Sequence, residues 1–133
     1  MQKAAWSLAL SSAFAVVTAG ALVTPAFADP DLAGSWKGAG TVTYSSGAKE
    51  QARCRARFSP SGARAYDVSA TCATQSGTVS QTAFVRGRGS NYRGTFYNPE
   101  FDTSGKIQIS VSGHSQVVRL TSDKGSAIIR LSR

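Results

Sequence analysis

The chain has one histidine, one methionine, two cysteines and four prolines in 133 residues, and only seven acidic side chains. A lone histidine cannot complete a plausible zinc set with two thiolates, and the cysteines lack the C-x-x-C spacing of a redox pair. His114 falls in the turn-like SGHS at residues 112–115, and no serine or cysteine stands in a nucleophile context such as G-x-S-x-G. The acids are scattered at Asp29, Asp31, Glu50, Asp67, Glu100, Asp102 and Asp123, so that only Glu100 and Asp102, within NPEFD, form a close pair. No enzyme, cofactor or metal is expected from such a set. Helical apolar periodicity is almost absent as well, which excludes a helical bundle.

What the chain has in quantity is basic charge, with fifteen Lys and Arg and a formal net charge of +8. The first 28 residues have a basic start at Lys3, an apolar middle and the small-residue exit Ala26, Phe27, Ala28, the pattern of an export signal removed before Asp29. That leaves residues 29–133 as one small domain in the periplasm or outside the cell, with no membrane anchor after cleavage. Only Lys3 among the charged residues falls in the leader, so the basic excess stays with the mature chain. It favours an anionic envelope component or an acidic protein as partner. Nucleic acid would suit arginines interleaved with Tyr92, Phe96 and Tyr97, but an export signal argues against it.

All but one of the thirteen glycines follow residue 28, and they separate short alternating runs. Strands are expected at 36–44, 49–58, 64–72, 78–86, 92–97, 106–112, 116–121 and 127–132, joined by SSG, SPSG, QSG, GRGSN, NPEFDTSG, GHS and SDKG. Eight short antiparallel strands predict an all-β fold, an up-and-down barrel that closes its own edges, with a two-sheet sandwich as the alternative. A monomer is expected.

The run EQARCRARF places Arg53, Arg55 and Arg57 on one parity and Ala52, Cys54, Ala56 and Phe58 on the other, as a half-buried strand requires. If SPSG turns this strand onto the next, a single register sets Phe58 opposite Val68, Ala56 opposite Ala70 and Cys54 opposite Cys72. The two cysteines of an exported chain then staple the hairpin, worth about 3 kcal/mol in the chain-entropy model. The arginines line the outer side about 7 Å apart. A second basic group, Arg86, Arg88 and Arg93 with Tyr92, surrounds the turn GRGSN and offers guanidinium forks and backbone N–H groups to a phosphate or carboxylate. Trp36, Tyr44, Phe58, Tyr66, Phe84, Phe96 and Phe101, with the aliphatics of the last three strands, suffice to fill a small interior. A ligand cavity is the alternative use of that interior.

Gly34, Ser35 and Trp36 open the first strand as G-x-W. This resembles calycin-type barrels, the lipocalin and avidin relatives, in which that Trp closes one barrel end and a late Arg packs across it. The resemblance implies that Arg130 is the matching Arg. The A-G-x-W start at residues 33–36, the signal peptide and the single disulfide are also similar to small periplasmic inhibitors of bacterial metalloproteases, which implies an N-terminal arm at residues 29–32 that enters a protease cleft. GSWKGAGTVTYSSG with RCRARF looks like small exported α-proteobacterial proteins of unknown role. Three binding functions are therefore expected in order: an arginine-rich face meeting an anionic partner, a hydrolase inhibitor, and a carrier of a small apolar ligand.

Overall fold

The computed structural model describes residues 13, 15–21 and 31–133. Most of the expected export segment, its cleavage site, and Asp29 and Pro30 of the arm lie outside the described residues. Eight strands follow one another as β1 (Gly34–Tyr44), β2 (Lys49–Pro60), β3 (Ala65–Thr74), β4 (Gly77–Arg88), β5 (Asn91–Asn98), β6 (Thr103–Ser112), β7 (Ser115–Ser122) and β8 (Gly125–Ser132). Each pairs with the next, antiparallel, and β1 pairs with β8, so the sheet is a closed up-and-down barrel and the sandwich is excluded. Among the described residues none is helical.

Alternation produces this architecture directly. In β2 the even positions Ala52, Cys54, Ala56 and Phe58 are buried and the arginines between them are exposed. The same two-residue period carries Val85 in β4, Ile107, Ile109 and Val111 in β6, and Ala127, Ile129 and Leu131 in β8 into a common core. Every lysine and arginine within the strands faces outward, and Asp67 is the only exposed carboxylate among them. A membrane-spanning barrel has the reverse arrangement, with its apolar band outside.

Cys54 pairs with Cys72, Ala56 with Ala70 and Phe58 with Val68, the register expected from the sequence. The Cys54–Cys72 disulfide joins Cα atoms 4.1 Å apart inside the barrel. Closure demands close backbone approach at inward glycines: a Cβ on Gly38 would strike the Arg130 carbonyl oxygen of β8. Gly87 faces Tyr92 across the β4–β5 pair, and the Tyr92 ring covers it.

Two expected core residues lie outside. Phe84 is 38% exposed and Phe101 55%. Phe84 has the outward parity of β4, where the Arg86 guanidinium sits 5.8 Å from its ring centroid, and Phe101 belongs to the β5–β6 connection.

Candidate functional site

The two ends of the barrel differ. Where β2 meets β3 and β4 meets β5, the end is sealed. Trp36, Phe58, Tyr66 and Tyr92 form a chain of edge-to-face contacts with centroid separations of 6.4, 6.4 and 5.8 Å. Leu32 is fully buried against them, the Trp36 indole N–H donates to its carbonyl at 2.9 Å, and its own N–H donates to the Tyr66 hydroxyl. Tyr66 in turn donates to Asp31, which also accepts from the Ala33 N–H at 2.8 Å. These two bonds, with the nearby Arg133 charge, hold the Asp31 carboxyl below its ordinary range, while burial pushes the Tyr66 phenol up. Arg64, at φ 54°, ties the neighbouring turn down by donating to the carbonyls of Gly87 and Gly89 at 3.0 and 2.7 Å.

The arginine that packs over Trp36 is Arg133, 4.3 Å from the ring centroid, and not Arg130. Arg130 has the outward parity of β8, whereas Arg133 continues the inward series Ala127, Ile129, Leu131 one step past the strand. Its guanidinium donates to the carbonyls of Ala33 and Asp31. That parity signal was present in the sequence. Asp31 and Leu32, half of the expected arm, are built into this seal.

The opposite end, where β1 meets β2, β3 meets β4, β5 meets β6 and β7 meets β8, is open. A cavity of about 300 Å³ enters the barrel there. Its apolar walls include Val42, Val79, Phe96, Leu120, Ala127 and Ile129, and a second, smaller space of about 40 Å³, lined also by Ala70 and Ala83, shares Gln81, Phe96, Leu120 and Ile129 with it. Small inward side chains and glycines leave this room. Gln81 faces Ala70 across the β3–β4 pair and lines both spaces, so an amide stands among apolar walls. The rim is polar and ordered. Glu50 accepts from Ser76 and from the Tyr44 hydroxyl at 2.6 Å, and these bonds keep its carboxyl below the usual range, while the bond to Glu50 raises the Tyr44 phenol. Asn98 fixes the β5–β6 connection by accepting from the N–H groups of Glu100 and Phe101. Sequence reasoning missed Gln81 because a glutamine of inward parity has no distinguishing pattern until the opposite wall is in place.

The six arginines proposed for anion binding do not form one group. Arg53, Arg55 and Arg57 lie on the outer wall of β2, flanked by Lys37 of β1 across the Lys37–Arg55 pair. Arg86 and Arg88 lie on β4 and Arg93 on β5, with Arg86 and Arg93 directly opposite each other. Tyr92 does not join them: it is 1% exposed, because its parity is that of Phe96, inside. Tyr97 is exposed and donates to Asp102 at 3.3 Å, while Glu100 sits on the cavity rim. His114 is exposed in the β6–β7 turn. Among the described residues no group of His, Cys, Asp and Glu stands close enough to hold a metal.

No family model and no curated protein matches the sequence. Solved structures do match the fold. A redesigned β barrel, mFAP1, bound to DFHBI, superposes with a TM-score of 0.65 at 17% identity, covering 77% of this chain and 94% of that one. A second redesigned barrel, mFAP0, also bound to DFHBI, gives 0.64 at 18% identity over 77% and 98%. A fluorescence-activating β barrel designed de novo gives 0.59 at 17% over 76% and 92%. At these identities the likeness establishes a small eight-stranded barrel and nothing finer, and the calycin and inhibitor resemblances gain no support beyond the barrel itself.

Proposed function

We propose that this protein is a binding barrel, acting without catalysis, that takes a small, largely apolar ligand into the cavity at its open end. The observation that carries this reading is the asymmetry of the interior. One end is filled by four interlocked aromatic rings and a buried leucine, and the other keeps about 300 Å³ of largely apolar-walled space lined by the amides of Gln81 and Asn98. Apolar walls left without an apolar occupant forgo packing contacts, a cost that binding of a hydrophobic ligand would remove. The apolar walls favour a hydrophobic body, Gln81 orients it through one polar atom, and the rim of Tyr44 and Ser76 meets water. Barrels of this fold that bind DFHBI support the reading as examples of the architecture in use. The Ala26, Phe27, Ala28 exit supports placing that activity in the periplasm or outside the cell.

Titration with Nile red and with DFHBI, followed by fluorescence, tests the proposal. Filling the cavity by Ala127→Phe, or at its mouth by Val79→Trp, is expected to weaken binding about tenfold or more, roughly 1.4 kcal/mol. Equal binding by the native chain and both folded variants, or no binding by the native chain, would overturn it.

A further inference from the structure

The outer wall near the sealed end holds a second, chemically opposite feature. Lys37 on β1 pairs with Arg55 on β2 and with Ser132 on β8, while Ser35 pairs with Arg57, which pairs with Ser69 on β3. Outward parity puts all of these side chains on one side of four adjacent strands. They line a shallow concavity together with Arg133, and no carboxylate lines it. Arg133 is fixed there by its two carbonyl acceptors and by the Trp36 ring, and Arg57 lies 3.5 Å from the Ser35 hydroxyl. Of the acids at this end, Asp31 is already engaged by the Ala33 N–H and the Tyr66 hydroxyl, and Asp67 of β3 lines a neighbouring groove with Arg57 and not this concavity.

We propose that this concavity is an anion site for a phosphate- or sulfate-type dianion. Arg55, Arg57 and Lys37 line it with no carboxylate among them, beside an Arg133 guanidinium whose donors are already engaged, and like charges on neighbouring strand positions repel until an anion enters. The guanidinium forks of Arg55 and Arg57 match the paired oxygens of a tetrahedral anion, and three serine hydroxyls supply neutral donors of adjustable direction. Concavity separates this place from the rest of the basic surface. Arg86 and Arg93 face each other on the wall, but Arg86 is stacked on Phe84, and neither lines this concavity. The site stands at the end away from the ligand cavity, so it survives or fails independently of the carrier reading.

The same chemistry is offered by a soluble phosphorylated or sulfated molecule and by a lipid phosphomonoester headgroup. The test is thermal unfolding of the full mature chain in sodium phosphate against sodium chloride at equal ionic strength, with cosedimentation on phosphatidylcholine vesicles containing phosphatidic acid. Phosphate in excess of its dissociation constant is expected to raise Tm by several degrees over chloride, roughly 4–8 °C. The doubly substituted Arg55→Ser, Arg57→Ser chain is expected to hold or slightly raise its Tm in chloride, since mutual repulsion is relieved, and to lose the phosphate shift. The Arg86→Ser, Arg93→Ser chain keeps the shift. Cosedimentation that phosphate competes away assigns the site to a lipid headgroup, and a phosphate shift without cosedimentation assigns it to a soluble ligand. An equal shift in both salts, or an equal loss in both doubly substituted chains, overturns the proposal, because the basic wall then acts only as diffuse charge.

Discussion

The guanidinium of Arg133 lies 4.3 Å from the centre of the Trp36 ring, joining the residue just past β8 to the first strand of the barrel. The contact seals one end: Trp36 is 2% exposed beneath it, and the same guanidinium donates to the carbonyls of Ala33 and Asp31. Cation–π attraction and charged hydrogen bonds therefore act on one group. Arg133→Ala is expected to lower stability by about 1–2 kcal/mol. Arg130→Ala, on the outer wall, is expected to change it by less than about 0.5 kcal/mol. Chemical denaturation of the two variants side by side measures the difference, and equal losses would restore Arg130 as the closing residue.

Gln116 is 2% exposed, and both polar atoms of its side chain lack a hydrogen-bond partner among the described residues. It stands in β7 between Val111 and Leu131 of the neighbouring strands, an apolar setting for an amide. An unsatisfied buried amide costs about 1–3 kcal/mol, and an apolar side chain of similar shape removes that cost. Gln116→Met is expected to raise Tm by roughly 4–8 °C, read by calorimetry.

Gly87 and Tyr92 face each other across β4 and β5, and a Cβ on Gly87 would enter the Tyr92 ring. Overpacking of this kind costs about 1–3 kcal/mol, the loss expected for Gly87→Ala. Combining it with Tyr92→Leu should cost less than the sum of the two single losses, since the shorter side chain vacates the contested space. An additive cycle would show that the two residues do not share that space.

The Asp31 carboxyl is held below its ordinary range by the Ala33 N–H, the Tyr66 hydroxyl and the Arg133 charge. A carboxyl with a lower pKa folded than unfolded binds fewer protons in the folded chain. Its contribution is therefore complete above about pH 4, the unfolded value, and is lost as pH falls through the folded value. Acid unfolding of Asp31→Asn should accordingly show a shallower loss of stability below about pH 4 than the native chain. The group is largely exposed, so the difference should shrink in high salt. A difference that instead grew above neutral pH would remove Asp31 from this role.

Much of this barrel was legible because strand parity is local. Arg53, Arg55 and Arg57 alternate with Ala52, Cys54 and Ala56, and only one pairing with the next strand brings Cys54 to Cys72, which the structure contains. Turn neighbourhood and aromatic character are weaker guides than parity: Tyr92 sits among arginines around its turn yet shares the inward parity of Phe96, and Phe84 is aromatic yet has the outward parity of β4.

The sequence alone determined eight strands, their order, the inward and outward faces and the disulfide, since a two-residue period, turn chemistry and one cysteine pair act between near neighbours in the chain. Only the tertiary structure decided which end of the barrel fills and which stays open, that Gln81 stands inside the cavity, and that Lys37, Arg55, Arg57 and Arg133 share one concavity. Those relationships join residues of β1, β2, β4 and β8 and the residue that follows β8, and they depend on how far the strands shear as the sheet closes. Shear is a property of the whole ring, and no short run of residues encodes it.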